Sequence, residues 1–330
     1  MDFKIFSFEI IWDLELGVCN LPLFMVLGHQ KQLKLLQTVL DSGCLGHAWI
    51  FAGPDKIGKK TAALAWASKI LGVNLKPDTA NADFLFLALL IDPKTQKIAK
   101  EITVEQIRQM IAKTALAPAA GGRKIAIIDN AHLMNAEAQN CLLKTLEEPP
   151  KSSLIILIAE NERRLLETVR SRAQIVKFNF LPESQMQDLR CQWQKENQSG
   201  IDEARAKEAV ELSFGRPGRL VDFLQNQEQM EQWRVAAKEF SQILAAEMPE
   251  KFAYAKKITE NENPQMALQD IIEIWQNHFR RLLLASLNDG DNPGARKIAA
   301  ALKKIQTLDF ELRATNAHPR LSIENFFIDL

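Results

Sequence analysis

The sequence has few of the residues that build cross-linked, fibrous or disordered proteins. Its 330 residues include only 14 glycines, 13 prolines and 4 cysteines. The cysteines are widely spaced and form no C-x-x-C pair, which argues against a disulfide framework and against a zinc module; they are Cys19, Cys44, Cys141 and Cys191. With 47% hydrophobic residues, the chain is composed like a folded protein of roughly two or three domains. A reducing cytoplasm is the expected compartment.

The sequence also lacks net charge and long apolar runs. Its 41 basic and 41 acidic residues balance, so no overall positive field attracts nucleic acid or a membrane, and any DNA contact is expected to be local or shared with partners. The longest apolar run, over 84–91, is bounded by Asp83 and Asp92 and is shorter than the ~18 to 20 residues of a membrane span. Acidic residues within 1–24 argue against an export signal. We expect no membrane contact.

From residue 28 onward, short apolar strands alternate with helical patterns. Buried-type strands are expected at Ala48–Phe51, Lys124–Asp129, Leu154–Ala159 and Gln174–Phe178. The helices between them are expected at Gln30–Leu40, at Thr61–Leu71, after a capping box formed by Thr103 and Gln106, and around Ala138–Leu146. Apolar strands that alternate with helices are typical of a parallel sheet covered on both faces.

The second half of the chain has no strand pattern. From Glu183 onward the sequence is typical of helices, with breaks at Gly215–Gly218, near Pro264 and around Asp289–Gly294. The predicted fold class is therefore α/β plus α. A P-loop-type parallel-sheet domain is expected over 25–180, a small helical lid domain over 181–226 and a helical domain over 227–330, with 1–24 as an N-terminal extension.

A glycine-bearing loop follows the first predicted strand. The residues over 53–61 read G-P-D-K-I-G-K-K-T and match most of the phosphate-binding pattern G-x4-G-K-[ST], with Gly53, Gly58 and Lys59 in the fixed positions. Backbone amides and the helix N-terminus can hold phosphates there. The next position needs a hydroxyl for Mg²⁺ but holds Lys60. Thr61 comes one residue late and is turned away by about 100°.

A second altered position lies at the end of the strand over 124–129. P-loop ATPases place a Mg²⁺-binding carboxylate where this chain has Asp129, and many of them follow it with a glutamate that activates water. Here the next residue is Asn130, whose amide cannot act as a general base. Hydrolysis, binding of ATP or ADP without turnover, and an empty structural loop stay open at this point; the residues favour the last.

Three further strings carry a family resemblance. D-N-A-H-L-M over 129–134, L-L-K-T-L-E-E-P-P over 142–150 and Ser171-Arg172 resemble the DNA polymerase clamp-loader subunits of the AAA+ class, and the likeness extends over about Met25–Leu330. The resemblance implies an AAA+ P-loop domain, a helical lid and a C-terminal helical collar for oligomerisation. The altered positions make the chain similar to the ATPase-inactive stator of the bacterial polymerase III loader. Residues 1–24 precede the family start and are expected to be dispensable for folding.

The resemblance also implies partners and a role for Arg172. The expected partners are the ATPase and delta-type subunits of the clamp loader, the sliding clamp, and primer-template DNA through the complex; no cofactor is required. Arg172, with Ser171, is expected to act as an arginine finger in trans on ATP held by a neighbouring subunit. The residues alone leave a salt-bridged surface arginine as the alternative, and they indicate a solvated helix end for Glu147 and Glu148.

Some positions depart from the family pattern. The segment 74–83 contains no cysteine, so no zinc or other metal is expected. The family motif S-R-C ends here in Ala173. The first sensor position falls on Glu160 or Asn161, and the second falls on Gly218 with Arg219 displaced by one residue.

Two other functions fit parts of the sequence. An active AAA+ ATPase, of the gamma-type clamp-loader or branch-migration class, is the main alternative, and Lys60 and Asn130 argue against it. A P-loop phosphotransferase is disfavoured by the all-helical second half and by the clamp-loader string.

Overall fold

The computed structural model describes residues 28–90, 99–119, 122–197, 201–260, 267–288, 292–314 and 317–330. The predicted extension over 1–24 lies outside these residues. The elements of the first half are α1 (Gln30–Asp41), β1 (Ala48–Ala52), α2 (Lys59–Leu71), β2 (Phe84–Leu87), α3 (Val104–Thr114), β3 (Lys124–Ile128), α4 (Ala136–Glu147), β4 (Ser153–Ala159), α5 (Glu167–Arg170) and β5 (Gln174–Lys177). Those of the second half are α6 (Glu183–Asn197), α7 (Glu203–Ser213), α8 (Pro217–Gln225), α9 (Gln227–Leu244), α10 (Met248–Thr259), α11 (Leu268–Asn288), α12 (Asn292–Ala314) and α13 (Pro319–Asp329).

The five strands form one parallel sheet in the order β2-β3-β4-β1-β5. Strand β4 lies between β1, which precedes the glycine-bearing loop, and β3, which ends beside Asp129. In register, Phe51 is opposite Ile158, and Ile128 is opposite Leu157. The carboxyl ends of these strands therefore meet at one edge of the sheet, where ligands bind in open parallel sheets. The predicted fold class, a P-loop α/β domain followed by helices, is confirmed.

The two edges of the sheet differ from the sequence-based expectation. Phe84–Leu87 forms β2 beside β3. The sequence analysis excluded a membrane span for the apolar run at this position but predicted no strand there. Strand β5, expected to be of the buried type, is the opposite edge, and among its residues only Val176 is buried. An edge strand has a neighbour on one side only, so its sequence carries less of the continuous apolar pattern.

Alternate residues of the central strands build two apolar layers. On one face of the sheet, Trp49 and Phe51 of β1 pack against Trp66 of α2, with ring centroids 5.2 and 6.1 Å away. On the other face, Ile50 belongs to a buried cluster with Leu142 of α4. Helices therefore cover both faces, as expected for strands that are apolar on both sides.

Helices α6 to α8 belong to the same compact unit as the sheet, and this unit extends to Gln225. The break predicted at Gly215–Gly218 overlaps the observed one, because α7 ends at Ser213 and α8 begins at Pro217, although Gly218 already belongs to α8. The apolar faces of these helices are buried, as Leu189 of α6 and Phe223 of α8 illustrate. The domain boundaries given above stay predictions.

Residues Asn226–Leu330 form a second compact unit. Helices α9, α10 and α13 each place an aromatic ring near Trp275 of α11, which is fully buried. Phe240 of α9 stacks on Trp275 at a centroid distance of 4.7 Å, and Phe326 and Phe327 of α13 lie at 5.6 and 5.4 Å. The break predicted near Pro264 lies outside the described residues. None of the described helices is both long and apolar enough to cross a membrane.

Candidate nucleotide site and arginine cluster

The glycine-bearing loop starts at the carboxyl end of β1. The local structure explains why glycine stands at both motif positions, Gly53 and Gly58. Gly53 donates its backbone N–H to the Ala159 carbonyl at the end of β4 (3.1 Å). A Cβ at position 53 would lie 2.1 Å from the Phe178 backbone oxygen. Gly58 caps α2 with φ at 98°, a left-handed conformation that favours glycine. The loop is therefore fixed closely against the sheet at Gly53.

Gly53→Ala is expected to lower the free energy of unfolding by about 3 kcal/mol, because the added methyl would overlap a backbone oxygen that cannot move without shifting the chain after β5. Gly122→Ala is the control, since a Cβ there meets nothing within 4 Å. Chemical denaturation of both variants checks this prediction. Equal stabilities for the two would contradict the close approach at Gly53.

Lys59, the P-loop lysine, is held by its own loop. Its ammonium donates hydrogen bonds to the carbonyl oxygens of Gly53 and Pro54, both at 2.6 Å. Burial lowers the pKa of Lys59 to about 8, although the carboxylates of Asp55 and Glu160 act in the opposite direction. To reach a phosphate, the ammonium would have to break its hydrogen bonds to these two carbonyl oxygens.

Lys60 forms an ion pair with Asp129. Its Nζ lies 2.8 Å from Asp129 Oδ2, and the Asp129 side chain is only 8% exposed. The ammonium also lies 5.8 Å from the ring centroid of Phe86 in the unpredicted strand β2. Thr61 is exposed. The sequence predicted only that Lys60 lacks a metal-binding hydroxyl. The structure adds that the Lys60 ammonium pairs with Asp129, the carboxylate that would bind Mg²⁺ in a P-loop ATPase.

The turn between α7 and α8, and α8 itself, contact the loop. Arg216 donates from Nη1 to the Asp55 carbonyl (2.9 Å), the Gly218 amide donates to the Lys56 carbonyl (2.8 Å), and Lys56 Nζ lies 3.1 Å from Asp222 Oδ2. Burial acts to raise the pKa of the Asp55 carboxyl, but a hydrogen bond from the Lys56 amide and the surrounding positive charges lower it overall. Sequence reasoning missed Arg216, which lies just before the predicted second sensor position.

The two candidates for the first sensor position have different surroundings. The Glu160 amide donates to His132 Nδ1 (3.3 Å), and Glu160 Oε2 lies 3.8 Å from His132 Nε2. Burial lowers the pKa of His132, with Glu160 acting in the opposite direction, so this imidazole is mainly neutral at pH 7. Asn161 instead caps the short turn that follows it. Of the two, only Glu160 adds charge near Lys59, and Arg219 is buried within α8.

Arg172 and Ser171 belong to a second cluster, at the turn between α5 and β5. Arg172 Nη2 lies 2.7 Å from Glu147 Oε1 at the end of α4, and Nη1 donates to the Thr168 carbonyl (2.9 Å) and to Ser171 Oγ (3.4 Å). The Arg172 and Glu147 side chains are 34% and 50% exposed. Glu147, which the sequence indicated as part of a solvated helix end, therefore has an ion-pair partner. The guanidinium remains accessible from solvent.

Within the part of the chain that the structure describes, no group of three or more His, Cys, Asp or Glu side chains is arranged to hold a metal ion. The cysteines found there, Cys44, Cys141 and Cys191, are free thiols. The expected absence of zinc stays a prediction.

The fold and the loop together define a class of protein. A P-loop follows β1, an acidic residue ends β3, one strand lies between them, and helices after the sheet contact the loop. This is the arrangement of a P-loop nucleotide-binding fold, in which the loop and the acidic residue face a nucleotide.

Comparison with known proteins narrows the class. Residues 28–182 match the family described as "DNA polymerase III, delta subunit". The chain is 34% identical over 136 residues to the DNA polymerase III subunit delta' of Pseudomonas aeruginosa and 32% identical over 170 residues to that of Bacillus subtilis. It is also 24% identical over 265 residues to the DNA polymerase III subunit gamma of Buchnera aphidicola.

The coverage of these matches differs. They span 38% of this chain and 41% of the Pseudomonas protein, 48% and 50% for the Bacillus protein, and 76% and 72% for the Buchnera protein. The chain thus spans about half or less of the length of the two delta' relatives. Residues 28–182 are therefore similar to the polymerase III clamp-loader subunits, delta' among them, which confirms the predicted resemblance.

Proposed function

We propose that this chain is an ATPase-inactive, stator-type subunit of a DNA polymerase III clamp loader. It assembles with ATPase and delta-type subunits to load the sliding clamp onto primer-template DNA, and it supplies Arg172 in trans to a neighbouring ATP site. The observation that carries the inactive role is the ion pair between Lys60 and Asp129, at 2.8 Å.

A magnesium–nucleotide complex does not fit the residues of the loop. The Asp129 carboxylate is neutralised by the Lys60 ammonium, and a divalent cation brought to that carboxylate would be repelled by the lysine. No hydroxyl stands at position 60, Lys59 is engaged by two loop carbonyls, and Asn130 supplies no base. The proposed role therefore requires no nucleotide on this subunit.

The role of Arg172 is supported by its chemistry and its position. A guanidinium is planar, permanently charged and able to donate two parallel hydrogen bonds to a phosphate. Arg172 is partly exposed and follows a serine in the motif that carries the family resemblance. A partly exposed arginine outside the apolar core can exchange an intrachain partner for one on a neighbouring subunit.

An active ATPase, of the gamma-type clamp-loader or branch-migration class, is the second candidate. Its support is the similarity to a gamma subunit over 76% of this chain. The two candidates predict opposite results for the purified chain, because only the active ATPase needs Mg²⁺ at Asp129 and a base at position 130.

The purified chain is expected to show no ATP hydrolysis above background. Asn130→Glu alone is expected to leave that result unchanged, because Lys60 still occupies the Asp129 carboxylate. Steady-state phosphate release with and without Mg²⁺ checks both proteins, and Lys59→Ala is the control for a contaminating ATPase. Robust Mg²⁺-dependent turnover that disappears in Lys59→Ala would contradict the proposal and support the active ATPase.

A further inference from the structure

The guanidinium of Arg172 is held within its own chain at both terminal nitrogens. Nη2 is paired with Glu147, and Nη1 donates to the Thr168 carbonyl and to Ser171 Oγ. Contacts with the Thr168 carbonyl and the Ser171 hydroxyl keep the side chain near its own turn. The contact with Glu147 is the one that compensates its charge.

The charge of Glu147 is unfavourable for the helix that carries it. Glu147 is the last residue of α4, where the partial negative charge of the helix C-terminus disfavours a carboxylate. The residue is half exposed, so its side chain adds little to the apolar core. Its described contact is with Arg172, so the ion pair with the arginine is the favourable interaction of a charge that α4 itself disfavours.

The ion pair can be exchanged. Both side chains reach solvent, and ion pairs of this kind are weak because water and salt screen them. A nucleotide γ-phosphate carries more negative charge than a carboxylate, and two of its terminal oxygens can accept the two parallel hydrogen bonds of a guanidinium. If Arg172 turns to a phosphate, Glu147 is left near a second anion, and the two repel each other. The ion pair that must be broken and the repulsion between Glu147 and the phosphate both oppose binding of Arg172 to the phosphate for as long as position 147 is charged.

We propose that Glu147 is a latch for Arg172. It is a positioning residue that keeps the guanidinium in an intrachain ion pair until the phosphate of a nucleotide on the neighbouring subunit displaces it. This inference rests on the proposed role of Arg172 as a trans-acting finger. The latch sets how strongly the neighbouring site must hold its nucleotide before the arginine leaves Glu147.

Glu147→Gln tests the latch in the full chain reconstituted with the other clamp-loader subunits. Glutamine keeps the shape and the hydrogen-bonding oxygen but removes the charge. The kcat/KM for ATP of the site that faces this subunit is expected to rise by about 1.5- to 5-fold, the factor that an exposed ion pair contributes to an equilibrium. Glu148→Gln is the matched control, because Glu148 is the next residue and is also exposed. That control is expected to leave kcat/KM unchanged.

The same measurements in an Arg172→Ala background separate the latch from the finger. The gain from Glu147→Gln is expected to disappear when Arg172 is absent, since the carboxylate acts through the guanidinium. If Arg172→Ala lowers the rate but Glu147→Gln does not raise it, the latch is overturned and the finger stands. A gain that persists without Arg172 also overturns the latch. An unchanged rate for Arg172→Ala overturns the proposed finger itself.

Discussion

Arg172→Ala in a reconstituted clamp loader is expected to reduce ATP hydrolysis at the neighbouring site by about 10³- to 10⁵-fold, the range that arginine fingers contribute. The loss is expected mainly in kcat, because the charge that the guanidinium stabilises develops in the transition state. Only the site that faces this subunit is expected to be affected. Single-turnover hydrolysis and clamp loading onto primer-template DNA are the measurements.

Two further substitutions sharpen this test. Arg172→Lys is expected to be nearly as slow as Arg172→Ala, because an ammonium cannot reproduce the two parallel hydrogen bonds of a guanidinium. Arg163→Ala removes an exposed arginine from the short turn before α5 and is expected to leave the rate unchanged. Assembly should survive in all three, since each residue lies outside the apolar core. Unchanged hydrolysis and clamp loading in Arg172→Ala would make Arg172 a surface arginine paired with Glu147.

The largest loss of stability is expected for Trp275→Ala. Removing a fully buried indole from the aromatic cluster of the second unit takes away its contacts with Phe240, Phe326 and Phe327. The cost is about 3–5 kcal/mol for such a truncation. Phe310→Ala is the control, because the Phe310 side chain is 66% exposed. Hydrogen exchange of the amides in α11 measures the change within its own unit, since a chain with two units can unfold in steps.

A loss below about 1 kcal/mol for Trp275→Ala, or one equal to that of Phe310→Ala, would contradict the central position of Trp275. The prediction depends only on contacts within the second unit. It therefore tests the fold of residues 226–330 independently of the nucleotide loop and of Arg172.

The sequence predicted the centre of the sheet better than its edges. Strands β1, β3 and β4 are buried on both faces, so each is a continuous apolar run bounded by polar residues. Strand β2 has four residues and merges into a longer apolar segment, which leaves no boundary for a pattern to mark. Strand β5 is mainly exposed. What an edge strand pairs with is decided by tertiary contacts rather than by its own composition.

The sequence likewise predicted which catalytic groups the site lacks, but it did not predict the contacts that the replacing residues form. A missing hydroxyl at position 60 and a missing carboxylate at 130 can be read from the motif alone. The pairing of Lys60 with Asp129 cannot, because it depends on the strand order and on the conformation of a long side chain. Arg216 reaches the Asp55 carbonyl from 161 residues away, and the sequence holds no local signal for such a contact.

The contacts between the loop and the segment that includes α8 attach helices α6 to α8 to the sheet without a bound ligand. A contact between two segments that is mediated by a bound small molecule becomes more stable as the free concentration of that molecule rises. Here the contact consists of the Gly218 amide on the Lys56 carbonyl, Arg216 on the Asp55 carbonyl and the pair of Lys56 with Asp222. All of these groups belong to one chain, so no ligand concentration enters their equilibrium. The angle between the sheet and helices α6 to α8 is then expected to be the same at low and at high nucleotide concentration.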